Sequence, residues 1–283
     1  MKNKIILLSF LLNFWAISNI YAVESNAWQT APVVHSSFYD WSSLKVKTTP
    51  VGQSRFVADA PSPTINRFEC HITTLRPGCQ SHPPHHHPQE EMILIEEGTV
   101  ESFINGKKQI FGPGSLLFLA SHDLHNVTNI GNKPTTYFVI NFHTSASATI
   151  REEAAEKWAP KTMLPSSVID WSKLETIKTP LGSRTNLVNS QTLTYKKLEV
   201  HATSLNPGTE ASKAHRHPWL QLFIIKQGKV EFIVDGVKHI SGPGDIAYVE
   251  SNALMSLKNV GSDICSYTVF SVTTESTPSE NKI

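Results

Sequence analysis

Three cysteines in 283 residues, Cys70, Cys79 and Cys265, are too few and odd in number for a disulfide framework. Cys70 and Cys79 can bridge across a hairpin, but a buried thiol is the simpler expectation for each. Neither sign of charge is in excess: 25 basic residues stand against 24 acidic ones, for a formal net charge of +1. That balance leaves no electrostatic footprint for nucleic acid. Long apolar runs are also scarce. The one present, Ile5 to Ile17, is preceded by Lys2 and Lys4, is too short to cross a bilayer comfortably, and is not followed by a second. With Ala22 before Val23 as a cleavage point, residues 1–22 read as a signal peptide. An uncleaved membrane anchor is the alternative, and with no cysteine near the cleavage point a lipoprotein is disfavoured. The expected product is exported, periplasmic or secreted, with no stable membrane insertion.

What is present is a repeat. An offset of 130 residues superposes two halves of the chain without a gap. YDWSSLKVKTTPVG (39–52) answers IDWSKLETIKTPLG (169–182), and FECHITTLRPG (68–78) answers LEVHATSLNPG (198–208). His85 and His87 fall on His215 and His217, Gly98 on Gly228, Gly114 on Gly244, and Asn129 on Asn259. Such a register is the mark of tandem duplication. About 260 residues beyond the leader suffice for two domains with proper cores.

Each half reads as all-β. Short apolar segments alternate with turn signals, among them Asn105-Gly106 and Asp235-Gly236, which suit type I′ hairpins, and Pro113-Gly114 and Pro243-Gly244. Regular short strands of this kind indicate a barrel or jelly roll. The expected division is an N-terminal domain at 23–143, a linker at 144–165, a C-terminal domain at 166–273 and a disordered polar tail at 274–283. Residues 24–37 are a polar lead-in able to cross to another element. In the linker, Thr149 to Glu152 forms a capping-box pattern ahead of EEAAEKWAP, which predicts a short helix with Trp158 packed on a barrel.

The chemistry concentrates between Pro77 and Asn129. His85 and His87 are two apart, so on an extended strand both imidazoles face one side. Glu91 lies an even number of residues from each, and His125 follows after a strand-rich interval. Pro83, Pro84 and Pro88 bracket the histidines and mark a strand end or bulge. Three imidazoles and a carboxylate form a mixed nitrogen and oxygen set suited to a divalent transition metal, with manganese or iron preferred and nickel or zinc possible. The alternative is a histidine-rich surface tract that binds metal adventitiously. Glu90 is the competing carboxylate, but Glu91 has the parity of His87. His82, His86 and His122 read as rim residues.

This pattern resembles the two motifs of the cupin superfamily. Gly78, His85, His87, Glu91 and Gly98 correspond to the first motif, and Gly114, His125 and Asn129 to the second. Gly78 stands one residue further from His85 than usual, and Ala120 and His122 replace the family's P-x-G turn, without loss of a ligand. The resemblance implies a double-stranded β-helix in each half, hence a bicupin, acting as a monomer or a homo-oligomer. It also implies that His85, His87, Glu91 and His125 hold a metal.

At the same positions the second half has His215, His217, Gln221 and Met255. It has lost the only anionic donor and gained a thioether, which binds soft ions rather than manganese or iron(II). A structural barrel with a degenerate site is the first reading, and a copper(I) site the second. Glu69 and His71 recur as Glu199 and His201 and so read as barrel residues. Asn141 faces Ser271 and is a weak candidate for substrate contact, while Phe103 and Phe118 are candidates to line the pocket. A dication held by three neutral imidazoles and one carboxylate keeps a net charge near +1 and favours a small oxygenated anionic substrate. Glu90 or His82 would transfer protons. The expectation is a metal-dependent dioxygenase, decarboxylase, isomerase or hydrolase. The alternative is a non-enzymatic storage or sensory protein that binds metal or a small ligand.

Overall fold

The computed structural model describes residues 26–279. The leader lies outside them, as does the end of the tail. In chain order the first half contains β1 (Ser37–Tyr39), β2 (Val46–Thr49), β3 (Gly52–Ser62), β4 (Ile65–Leu75), β5 (Glu91–Glu97), β6 (Val100–Ile104), β7 (Lys107–Phe111), β8 (Leu116–Leu119), β9 (His125–Asn129) and β10 (Thr135–His143). After a single helical turn, α1 (Ala155–Trp158), the second half repeats the order with one strand more. It runs β11 (Ser167–Ile169), β12 (Thr176–Thr179), β13 (Gly182–Ser190), β14 (Lys197–Leu205), β15 (Glu210–His215), β16 (Leu220–Gln227), β17 (Val230–Val234), β18 (Val237–Ser241), β19 (Ile246–Val249), β20 (Met255–Asn259) and β21 (Cys265–Thr273).

Each half closes a large antiparallel sheet over a small one. The first pairs β11-β8-β5-β10-β4-β3-β2 with β7-β6-β9, and the second pairs β1-β19-β16-β21-β14-β13-β12 with β15-β20-β17-β18. Two double-stranded barrels in tandem result, as the duplication implies. The sheet orders correct the domain division in one respect. β1, from the N-terminal half, adds to the C-terminal sheet through β19, and β11, from the C-terminal half, adds to the N-terminal sheet through β8. The lead-in does cross, and the crossing is reciprocal.

A tryptophan follows each exchanged strand and lies on a glycine of the other half. A Cβ added to Gly114 would come within 2.8 Å of Trp171, and one added to Gly244 within 2.8 Å of Trp41. The same segments are fixed by hydrogen bonds from Trp171 N–H to Ser115 Oγ (3.0 Å) and from Trp41 N–H to Asp245 Oδ1 (2.7 Å). Only glycine admits an indole so close to the backbone.

Burial divides into three cores. One fills the first barrel, with Ile93, Ile95, Val100 and Tyr137, and one fills the second, with Phe223, Phe232, Val249 and Tyr267. The third lies between the two large sheets and draws on both halves, as in the stacked pair Phe68 and Tyr248, 4.8 Å between centroids. A central strand of either sheet is therefore buried on both faces, and strand alternation decides which core each residue enters. On β5, Met92 and Leu94 enter the shared core while Ile93 and Ile95 enter the barrel.

The linker and tail differ from expectation. Thr149 Oγ1 donates to Ala146 O instead of capping a helix, and α1 is one turn beginning at Ala155. Ala155, not Trp158, is the buried anchor. Trp158 remains half-buried under the Arg151 guanidinium (5.1 Å), its Nε1–H donating to Glu153 O. In the tail, Thr274 is buried and donates to Thr64 O, and Glu275 accepts from the N–H groups of Ser145 and Ala146, so the ordered chain passes the expected boundary.

The hairpin turns have the backbone their sequences demand. Asn105 and Gly106 have φ of 45° and 86°, and Asp235 and Gly236 have 47° and 82°. A Cβ at Gly106 would meet nothing within 4 Å, so any cost of substitution there is backbone strain alone. Gly106→Val is expected to lower the unfolding free energy by about 1–3 kcal/mol, read as a lower urea midpoint. An unchanged midpoint would contradict the turn.

Candidate metal centre

The residues leading into β5, the first residue of β5 and the first of β9 meet at the mouth of the first barrel. Gln80 and His85 bridge to Thr128 and His125, extending the small sheet past its regular end. His85 N–H donates to His125 O and His125 N–H to His85 O, at 3.1 and 2.9 Å. The prolines between them have no N–H to leave unpaired.

The side chains converge. One nitrogen from each of His85, His87 and His125 falls within 4.8 Å of the others, the only such cluster of three or more histidine, cysteine, aspartate or glutamate side chains among the described residues. Glu91 joins them, with Oε2 3.6 Å from His87 Nε2 and Oε1 3.7 Å from His125 Nε2. An ion with bonds of about 2.1 Å puts neighbouring donors about 3 Å apart, so small side-chain rotations bring this set onto one ion.

The outer hydrogen bonds fix which nitrogens point inward. His87 Nδ1–H donates to Gln89 O (2.9 Å) and His125 Nδ1–H to Asp123 O (2.7 Å). Each Nε2 is left with its lone pair toward the cavity, and both are buried without a hydrogen-bond partner, as is His85 Nδ1. Buried polar atoms without partners are costly, and a metal ion would satisfy those of this cluster together. Asn141 holds Glu91 from the far side, Nδ2 to Oε2 at 3.5 Å.

Electrostatics favour the same use. Burial, reinforced by His82, His125 and His87, pushes His85 down to about 3. Burial pushes His125 down to about 4 against the pull of Glu91. For Glu91, burial acts upward, but the attraction of His87, with those of His125 and His71, holds the carboxyl well below the usual range. His87 is raised, since Glu91 outweighs burial there. At neutral pH the imidazoles of His85 and His125 and the Glu91 carboxylate are therefore ready donors, while any proton taken up by His87 would have to leave before its Nε2 could hold an ion.

The cavity around this cluster has a volume of about 420 Å³ and is also lined by His71, His82, Asn126, Tyr137 and Asn141. His82 is exposed at the rim, its ring 3.9 Å from that of His85. Glu90 requires a correction: its carboxylate does not face this cavity. One residue from Glu91 on an extended chain, it points through the sheet, is fully buried, and accepts from Thr192 Oγ1, Leu193 N–H, Thr194 N–H and Thr194 Oγ1 at 2.5, 3.0, 3.3 and 2.5 Å. Burial, opposed by these donors, raises its pKa. It is a fastening between the halves. Neither Phe103 nor Phe118 lines the cavity, and Phe118 belongs to the shared core.

His71 and Asn141 were underweighted by sequence reasoning. The replacement of Asn141 by Ser271 where Glu91 becomes Gln221 was the available signal, since the two positions touch in both halves. The altered turn before His125 has its own supports. His122 takes φ of 57° where the family motif has glycine, Ala120 N–H donates to Ser166 Oγ, and Ser166 Oγ donates to Asp123 Oδ2 (2.6 Å).

In the second barrel His215 Nε2 and His217 Nε2 are 2.8 Å apart, Gln221 Nε2–H donates to Ser271 Oγ (3.2 Å), and Met255 is buried. The cavity persists at about 340 Å³.

Comparison with known proteins follows this geometry. The family described as Cupin domain matches residues 71–141 and 202–271. No curated protein matches the sequence. Among solved structures, the Lactobacillus farciminis oxalate decarboxylase in its formate complex is similar with a TM-score of 0.64 at 12% identity, over 86% of this chain and 88% of its own. A deletion mutant of the Bacillus subtilis oxalate decarboxylase OxdC gives 0.62 at 14% identity, over 86% and 79%. AerE from Microcystis aeruginosa gives 0.61 at 15% identity, over 81% and 96%. At such identities the likeness is one of architecture.

The two orientations on β5 make separable predictions. Glu90→Ala strands the donors of Thr192 and Thr194 and leaves a cavity, and is expected to cost about 2–5 kcal/mol in chemical denaturation. Bound divalent metal should remain near the wild-type level. Loss of metal without loss of stability would put Glu90 in the site.

Proposed function

The chain is a bicupin of the cupin superfamily, and from that premise we propose that it holds one divalent transition metal on His85, His87, Glu91 and His125 and uses it enzymatically on a small oxygenated anion. The observation that carries this reading is the difference between the two cavities. The first presents three imidazoles and a carboxylate with inward-facing, unpartnered nitrogens. The second lacks the carboxylate and the third imidazole. Manganese or iron suits the first set best, with nickel or zinc as the other candidates.

When bound, the ion supplies Lewis acidity, polarising an oxygen of the substrate. The remaining work belongs to the chain. Among the described residues no Arg or Lys lines the first cavity, so substrate charge would be matched by the ion and by imidazoles, not by a guanidinium clamp. Asn141 fixes one oxygen of Glu91 and leaves its own Oδ1 unpartnered and buried beside the donors, an acceptor for a substrate hydroxyl. His82, exposed and against the ring of His85, is the group at the mouth able to exchange a proton with solvent. With Glu90 turned away, no second carboxylate takes that role on β5.

The oxalate decarboxylases among the structural neighbours make oxalate and related small carboxylates the first substrates to try. Outside this site, the leader at 1–22 supports export to a periplasmic or secreted location. Among the described residues no helix is long and apolar enough to cross a membrane.

Purified wild type dialysed against a mild chelator is expected to retain about one divalent ion per chain by elemental analysis, and His125→Ala close to none. Installing the missing donors with Gln221→Glu and Met255→His should raise the count to about two. Retention of the ion by His125→Ala would mean that another part of the chain holds it. Carbon dioxide release or oxygen uptake with small hydroxy-, keto- and dicarboxylic acids should occur in the wild type and vanish in His125→Ala. Metal without any turnover would favour the binding-protein alternative.

A further inference from the structure

The second barrel keeps an open cavity after losing the donors a dication needs, and its remaining donors have a chemistry of their own. His215 Nδ1–H donates to Lys213 O at 2.8 Å, which leaves its Nε2 with a lone pair. His217 Nε2–H donates to that nitrogen at 2.8 Å, so two imidazole nitrogens meet at one point in the cavity wall, where a bound cation would take the place of the shared proton. Met255 stands directly across the ladder from His215, as His125 stands across from His85 in the first barrel. Directly opposed residues of an antiparallel pair project side chains to the same face. Met255 is buried and lines the same cavity. The stack of His217 on Trp219, 4.7 Å between centroids and 18° between planes, holds the second ring in place. In the first barrel the residue at that position, Gln89, holds His87 through its backbone carbonyl instead.

We propose that His215, His217 and Met255 form a copper(I) site. Two imidazoles and a thioether are the soft, neutral set that copper(I) favours over harder dications. Charge supports the choice. A dication in this cavity would lack an anionic ligand, since Gln221 has replaced the carboxylate, whereas a monovalent ion needs less compensation. Glu199, the carboxylate lining the cavity, is already engaged by Arg184 at 2.8 Å and Lys197 at 3.1 Å. Met255 also packs in the apolar core of the barrel; its register opposite His215 is what assigns it to the site. The two halves would then hold two ions of different hardness, each in the cavity whose donors match it.

The test is anaerobic titration of the full-length protein with copper(I) in competition with a chromophoric chelator, with X-ray absorption at the copper edge. Wild type is expected to take up one copper(I) with a sulfur scatterer beside nitrogens. Met255→Leu, close in volume and so expected to fold, should lose the sulfur contribution and bind at least about tenfold more weakly. His125→Ala should keep the sulfur contribution, which separates this site from the divalent one. A spectrum with nitrogen donors alone, as copper on the histidine tract at 82–87 would give, overturns the assignment. So does no uptake, or an affinity unchanged by Met255→Leu.

Discussion

β5 is the central constraint of the molecule. It lies between β8 and β10 in the large sheet, and both faces are buried, one in the first barrel and the other in the core shared with the second half. Two adjacent glutamates at its start therefore cannot share an environment. Alternation sends Glu91 to the histidines and Glu90 to the backbone and hydroxyls of residues 192–194. A slip of one residue in register would exchange them, putting the wrong carboxylate in the site and an uncompensated one in the interface. The hydrogen bonds to Glu90 thus pin the register on which the position of Glu91 depends. The second half has no such pair, since Leu220 occupies the place of Glu90 and Gln221 that of Glu91.

Duplication explains the rest of the architecture. Two barrels that lend each other a strand, and each set a tryptophan on a glycine of the other, are not independent units. Such coupling lets the halves diverge chemically without separating physically. The ligand positions changed together, at 91 and 221, 125 and 255, and 141 and 271, whereas Asn129 and Asn259 kept the same turn, each donating to a carbonyl 54 residues earlier.

Much of this was legible in the sequence, for physical reasons. The offset of 130 residues exposed the repeat, and Asn-Gly and Asp-Gly pairs marked the hairpins because their backbone needs positive φ at both positions. The grouping of His85, His87, Glu91 and His125 followed from parity and a motif resemblance. The role of Glu90 was missed because its partners are about a hundred residues away in the other half, and local pattern says nothing of such contacts. The reciprocal strand exchange was hidden for the same reason, since β1 and β11 are three residues each and carry no signal of which sheet they join. The linker misled because Thr149 offers a capping box, yet its hydroxyl is used in a local turn with Ala146.

The central claim is that one cavity, defined by the face of β5 to which Glu91 points, holds the divalent ion. Anomalous diffraction at the absorption edge of the metal retained by natively purified protein would test it most directly. The account predicts a peak among His85, His87, Glu91 and His125, with Glu90 still bound to Thr192 and Thr194. A divalent ion found instead between His215 and His217, or coordinated by Glu90, would contradict it.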